Sequence, residues 1–93
     1  AKRFGMSNTR VKYTPTFIKK FKKIPKTIQV IAMRKEDVFK KNPHDPMLQT
    51  HKLRGSLEGY WAFSINRSYR IMCEFKEDNS VTFLYIGTHE IYR

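Results

Sequence analysis

The segment His51-Lys-Leu-Arg-Gly-Ser-Leu-Glu-Gly-Tyr-Trp-Ala-Phe-Ser-Ile-Asn-Arg-Ser-Tyr-Arg-Ile-Met-Cys-Glu-Phe75, followed by Lys76-Glu-Asp-Asn-Ser80 and Val81-Thr-Phe-Leu-Tyr-Ile-Gly-Thr-His-Glu-Ile-Tyr92, decides the fold. Three runs rich in aromatic and β-branched residues are separated by Gly, Asn, Asp and Ser, the pattern of strand, turn, strand, turn, strand. Tyr60 to Asn66 reads as the first long strand. Trp61, Phe63 and Ile65 take one face and Tyr60, Ala62 and Ser64 the other, because strand side chains alternate. Tyr69, Ile71, Cys73 and Phe75 then alternate with Arg70, Met72 and Glu74, which puts Arg70 on the face of Ser64, opposite the core. Val81 to Ile86 is apolar at both parities, as an interior strand is. Thr50 to Leu53 reads as a further short strand.

Upstream, Arg10-Val-Lys-Tyr13 alternates as a short edge strand. Thr14-Pro15 is a helix start, with the threonine as cap and the proline at the first helical position. Phe17, Ile18, Phe21 and Ile24 share one helical face, interleaved with Lys19, Lys20, Lys22 and Lys23. Pro25 interrupts the pattern. A second helix runs from Lys26 to Lys40, with Ile28, Ile31, Ala32, Val38 and Phe39 as its apolar stripe. Two short-linked helices form a hairpin. The expected fold is therefore α+β and two-layered: an N-terminal strand and a helical hairpin packed on one face of a small antiparallel sheet. Residues 1–93 form one domain, with residues 1–8 a loose tail.

Composition narrows the function. The chain has 93 residues, 40% hydrophobic and 29% charged, which suits a globular domain rather than a disordered one. Its net charge of +11 favours a polyanionic partner: nucleic acid, an anionic membrane or an acidic protein. One cysteine, Cys73, excludes an internal disulfide and a cysteine-rich zinc site. No apolar run approaches the ~20 residues of a membrane helix. The basic start, Ala1 to Arg10, lacks the apolar segment of a signal peptide, so a cytoplasmic setting is expected. Glycine-rich phosphate loops, nucleophile elbows, zinc ligand sets and paired carboxylates are missing from the sequence, and no metal or small-molecule cofactor is expected.

What remains is His51 and His89 with Lys52, Arg54, Arg67 and Arg70, together with Tyr60, Tyr69, Tyr85 and Tyr92. This inventory suits RNA cleavage by the RNA's own 2′-hydroxyl. That reaction needs one group to accept a proton, one to donate a proton, and cations to stabilise charge on the phosphate. Histidine serves either proton role, arginine donates two hydrogen bonds to a phosphate, and aromatic rings stack on a splayed base.

Tyr69-Arg70-Ile71, the apolar hairpin after it and Gly87-Thr88-His89 resemble the RelE/ParE superfamily of bacterial type II toxins. Within it, His51-Lys-Leu-Arg-Gly-Ser-Leu-Glu-Gly-Tyr60 and Gly-Thr-His89 resemble YafQ-like and YoeB-like messenger-RNA interferases. The resemblance covers His51 to Tyr92 well and the helical hairpin by order and length. It implies a RelE-like toxin domain that cuts mRNA in the ribosomal A site. It implies catalytic roles for His89, Arg70 and His51, an RNA contact for Tyr92, and an acidic antitoxin protein as partner. Lys52, Arg54, Arg67, Lys19, Lys22 and Lys23 are expected to grip RNA. Two positions depart from the YafQ pattern: Ser64 replaces a histidine and Tyr85 an arginine. A ParE-like inhibitor of DNA gyrase, without catalysis, and a basic RNA-binding module that does not cleave are the alternative readings.

Overall fold

A computed structural model of the chain describes residues 8–88. His89 and Tyr92 lie outside the described residues. The elements run β1 (Arg10–Tyr13), α1 (Pro15–Lys23), α2 (Lys26–Lys41), β2 (His51–Lys52), β3 (Trp61–Ser64), β4 (Arg70–Phe75) and β5 (Ser80–Gly87). Single 3-10 turns at Pro46–Leu48 and Gly55–Leu57 lead into and out of β2. The sheet order is β1-β5-β4-β3-β2. β2 to β5 form an antiparallel meander, whereas β1 pairs parallel to β5, Val11 opposite Val81. The helical hairpin carries the chain from β1 at one edge of the sheet to β2 at the other.

Local chemistry explains the hairpin. The Thr14 hydroxyl accepts from the Phe17 N–H at 3.0 Å and donates to the Leu84 carbonyl at 3.0 Å. The helix cap is thus also a tie to β5. Pro25 has no N–H to continue α1. The carbonyls left open at the end of α1 are met by Gln29 from α2, whose amide donates to Phe21 at 2.9 Å and to Ile24 at 3.2 Å. Tyr13 on β1 donates to the Glu36 carboxylate on α2, fastening the edge strand to the helix layer.

The core lies between the helices and one face of the sheet. Phe39 stacks on Phe63 with centroids 4.6 Å apart and meets Phe83 edge-on at 5.3 Å. Phe17 tilts against Phe83 at 5.5 Å. Phe39, Phe63 and Phe83 are buried, and each fully buried phenylalanine stabilises the fold by roughly 1.5–3 kcal/mol relative to exposure.

Three details differ from the expectation. The first long strand is shorter, because Ile65–Tyr69 leave the ladder as a turn in which the Asn66 side chain accepts from the Ser68 and Tyr69 N–H groups. Ile18 is 43% exposed. Helix α1 is only nine residues long, and Phe17 and Phe21 take its sheet-facing arc, so Ile18 is left on the rim. Ala62 belongs to the open face yet is fully buried, since its methyl is flanked in register by the larger His51 and Met72.

Candidate functional site

The sheet face away from the helices carries the site. The ladder puts His51 opposite Ala62, Ala62 opposite Met72 and Met72 opposite Tyr85. One step along, Ser64 is opposite Arg70, and Arg70 is opposite Gly87. His51 and Arg70 therefore share a face. Two residue steps and two strand spacings put their Cα atoms roughly 12 Å apart. A ligand lying over Ala62 and Ser64 is within reach of both side chains.

A bulge tunes this face. Met72 pairs with Tyr85 but Cys73 with Phe83, so Leu84 is an extra residue in β5. A bulge re-aims side chains, and here Tyr85 turns to the open face while Phe83 and Ile86 stay in the core. The Lys20 ammonium sits 5.5 Å from the Tyr85 ring centre, a cation–π contact that brings α1 to the rim of the face.

Arg70 is half-buried and held by the β3–β4 turn. One guanidinium nitrogen donates to the carbonyls of Asn66 at 2.9 Å and of Arg67 and Tyr69 at 3.3 Å. Carbonyl oxygens fix the guanidinium without neutralising it, and among the described residues no carboxylate forms a salt bridge with Arg70. Beside it, Arg67, Lys35, Asn66, Ser64 and Gln49 line a small depression of about 350 Å³. Such a site, with three cations and several neutral donors, is built for an anion.

A second, larger groove of about 860 Å³ lies along β2 and the turn after it. His51, Lys52 and Arg54 line it with Glu58, Tyr60 and Trp61. Lys52 sits over the Trp61 ring at 5.6 Å. Gly59, at φ +99°, closes the turn in a conformation that L side chains rarely adopt. His51 Nδ1 lies 2.9 Å from the Gln49 carbonyl.

The structure thus divides the residues expected from the sequence. His51, Lys52 and Arg54 form one group and Arg67 and Arg70 a second, adjoining through Ser64 and Gln49. Lys19, Lys22 and Lys23 are exposed on α1 and line a separate shallow cleft with Pro15 and Ile18. Gln49 and Lys35 were not anticipated. Lys35 reads as a solvated helix residue, and Gln49 follows a proline-rich loop whose path the sequence does not fix. Among the described residues no three His, Cys, Asp or Glu side chains gather as a metal site, and no helix is long and apolar enough to cross a membrane.

Solved structures share this architecture. The toxin–antitoxin complex RelBE2 from Mycobacterium tuberculosis matches with a TM-score of 0.74 and 18% identity over 88% of this chain and 99% of that one. YafQ from Escherichia coli BL21(DE3) matches with 0.73 and 17% over 89% and 96%. The archaeal RelE–RelB complex from Pyrococcus horikoshii OT3 matches with 0.70 and 18% over 87% and 94%. At these identities the likeness establishes a common fold, the one adopted by toxins of this superfamily. Residues 11–91 match the family model of the ParE toxin of type II toxin–antitoxin systems, and the chain belongs to that family. No curated protein matches it.

Proposed function

We propose that this toxin is a ribosome-dependent endoribonuclease that cuts mRNA in the A site. The observation that carries the reading is the shared open face of His51 and Arg70, with an anion-binding depression at one end and a basic groove at the other. The RNA 2′-oxygen attacks the adjacent phosphorus, the bond from phosphorus to the 5′-oxygen breaks, and a 2′,3′-cyclic phosphate and a 5′-hydroxyl result. Arg70 stabilises the charge on the phosphate. His89, two residues beyond Gly87 in the chain, is assigned as proton donor to the leaving oxygen, and His51 as the second proton-transfer group. Tyr92 stacks on or orients a base. Lys52, Arg54, Arg67 and the α1 lysines hold the RNA backbone and ribosomal RNA in the cytoplasm.

The partner in this reading is an acidic antitoxin. Two structural relatives, RelBE2 and DinJ–YafQ, were solved as toxin–antitoxin complexes. On this chain an apolar groove of about 250 Å³ opens between α1, α2 and β1, lined by Tyr13, Ile18, Phe21 and Met33 with Lys22 at its edge. Ile18 and Met33 are large apolar side chains left 43% and 57% exposed. Such a surface suits the apolar side of a segment that folds on binding, with Asp and Glu facing the lysines.

The family match favours a second reading, inhibition of DNA gyrase as by ParE toxins, which needs no proton-transfer pair. Inducing the chain in bacteria and mapping new mRNA 5′ ends tests the first reading. Codon-phased cuts support it. Intact mRNA together with loss of supercoiling activity supports the second.

A further inference from the structure

We propose that Gln49 is a positioning residue: its backbone carbonyl holds His51 in the Nδ1–H tautomer and so makes His51 Nε2 the acceptor of the 2′-hydroxyl proton. This rests on the ribonuclease reading above and assigns a direction to one of its two proton transfers.

His51 Nδ1 is 2.9 Å from the Gln49 carbonyl oxygen. A carbonyl oxygen can only accept, so the hydrogen lies on Nδ1. A neutral imidazole carries one N–H, and its lone pair then falls on Nε2. The carbonyl takes this direction because Gln49 is left-handed, with φ 53° and ψ 41°. An antiparallel strand has ψ near about +135°, so the carbonyl is turned by about 90° from its strand direction. Left-handed backbone is uncommon for glutamine, and the surrounding structure enforces it. Leu48 is fully buried on one side. The Gln49 N–H donates to the Pro46 carbonyl at 3.3 Å, and the Thr50 hydroxyl donates to the Pro43 carbonyl at 2.5 Å. His51 then enters the ladder opposite Ala62.

The Gln49 side chain reaches the other half of the site. Its Oε1 accepts from the Ser64 hydroxyl at 3.3 Å, and Ser64 is the cross-strand neighbour of Arg70. One residue thus joins the ring that takes the proton to the strand position beside the phosphate-binding arginine. Among the described residues, the charged and titratable groups sharing the groove with His51 are Lys52 on its own strand and Arg54, Glu58 and Tyr60 from the segment that follows. In the reaction, Nε2 takes the 2′-hydroxyl proton as the oxygen–phosphorus bond forms. The resulting imidazolium keeps its Nδ1–H on the Gln49 carbonyl, and the leaving 5′-oxygen receives its proton from the other group.

Long-range proton–nitrogen NMR of the histidine-labelled full chain tests this at about pH 8, where a reference histidine with pKa near 6.5 is neutral. His51 should show the Nδ1–H pattern. Gln49→Gly keeps access to left-handed backbone and should keep that pattern. Gln49→Val disfavours it and should move His51 toward Nε2–H. It should also slow cleavage by roughly 10²-fold, the lower end of a general base's contribution. An Nε2–H pattern in the unmodified chain overturns the proposal without any variant, so a Gln49→Val protein that fails to fold does not protect it. A folded Gln49→Val with unchanged tautomer and rate overturns it too. An Nδ1–H pattern in a chain that cuts no RNA upholds the Gln49 geometry and removes the proton-acceptor role with the ribonuclease reading.

Discussion

Ser64 on β3 stands directly across the ladder from Arg70 on β4, and its hydroxyl donates to the Gln49 side chain 3.3 Å away. The contact joins the β3–β4 turn, which seats the arginine, to the segment that delivers His51. The resemblance to YafQ-type toxins places a histidine where this chain has Ser64, so here the position is a neutral link. In the proposed reaction, proton transfer consequently falls to His51 and His89.

Arg70 should be indispensable. Arg70→Ala is expected to fold, since the side chain is only half-buried, and to cut mRNA at least ~10²-fold more slowly, as removal of a charge-stabilising donor does. Arg70→Lys should recover little of this, because an ammonium cannot span the carbonyls of Asn66, Arg67 and Tyr69 and still present a flat fork to phosphate. Single-turnover cleavage on programmed ribosomes, with circular dichroism as a folding control, measures both. Full activity in Arg70→Ala would remove the residue from the mechanism.

Much of this geometry was legible before the fold was known. Period-two alternation put Arg70 on the face of Ser64, and the Thr14-Pro15 signal located the start of α1. Both are local, and local rules govern them. The parallel pairing of β1 was not legible, because β1 contributes four residues and its partner lies about seventy positions away in sequence. Gln49 was invisible for a related reason. Its left-handed backbone is imposed by Leu48, Pro43 and Pro46 together, and no glycine or asparagine at that position announces it. The bulge at Leu84 was equally hidden within a run apolar at both parities.

Binding to RNA or ribosomes should depend steeply on salt. If about six phosphates are neutralised, affinity falls on the order of 10³ between 50 and 200 mM salt. Replacing Lys19, Lys22 and Lys23 together by alanine should reduce the slope of log affinity against log salt by roughly two to three. Filter binding at five salt concentrations reads it. An unchanged slope would mean that the α1 lysines face water throughout.

Cys73 provides a pH prediction. Burial pushes its thiol from the ordinary 9.0 up to about 12. The folded state thus keeps the thiol neutral where the unfolded chain ionises. The associated stability is fully present below about pH 9 and is lost as pH rises from 9 toward 12. Cys73→Ala should flatten that part of the stability curve relative to the parent, measured by urea unfolding between pH 8 and 10. Alkylation of the native thiol near pH 8 should track global unfolding, not the intrinsic reactivity of a free thiol. Rapid alkylation without unfolding would contradict the buried position.

The groove between α1, α2 and β1 should bind the antitoxin without taking part in RNA cleavage. It opens on the helix side of the molecule, and its floor includes Ile71 and Phe83, whose side chains face away from His51 and Arg70. A glutamate at Met33 or Ile18 would place a charge in an apolar contact and repel an acidic segment. Each change should weaken the complex by roughly 10²-fold, the scale of about 2–3 kcal/mol set by an interface hot spot. Val30 is similarly exposed, at 49%, but does not line the groove, so Val30→Glu is the matched control and should change affinity little. Cleavage by the free toxin should be the same in Met33→Glu and Val30→Glu, which lie outside the cleft of α1 lysines. If Met33→Glu and Ile18→Glu bind antitoxin as tightly as Val30→Glu does, the acidic segment lies elsewhere, and the open sheet face becomes the surface to test.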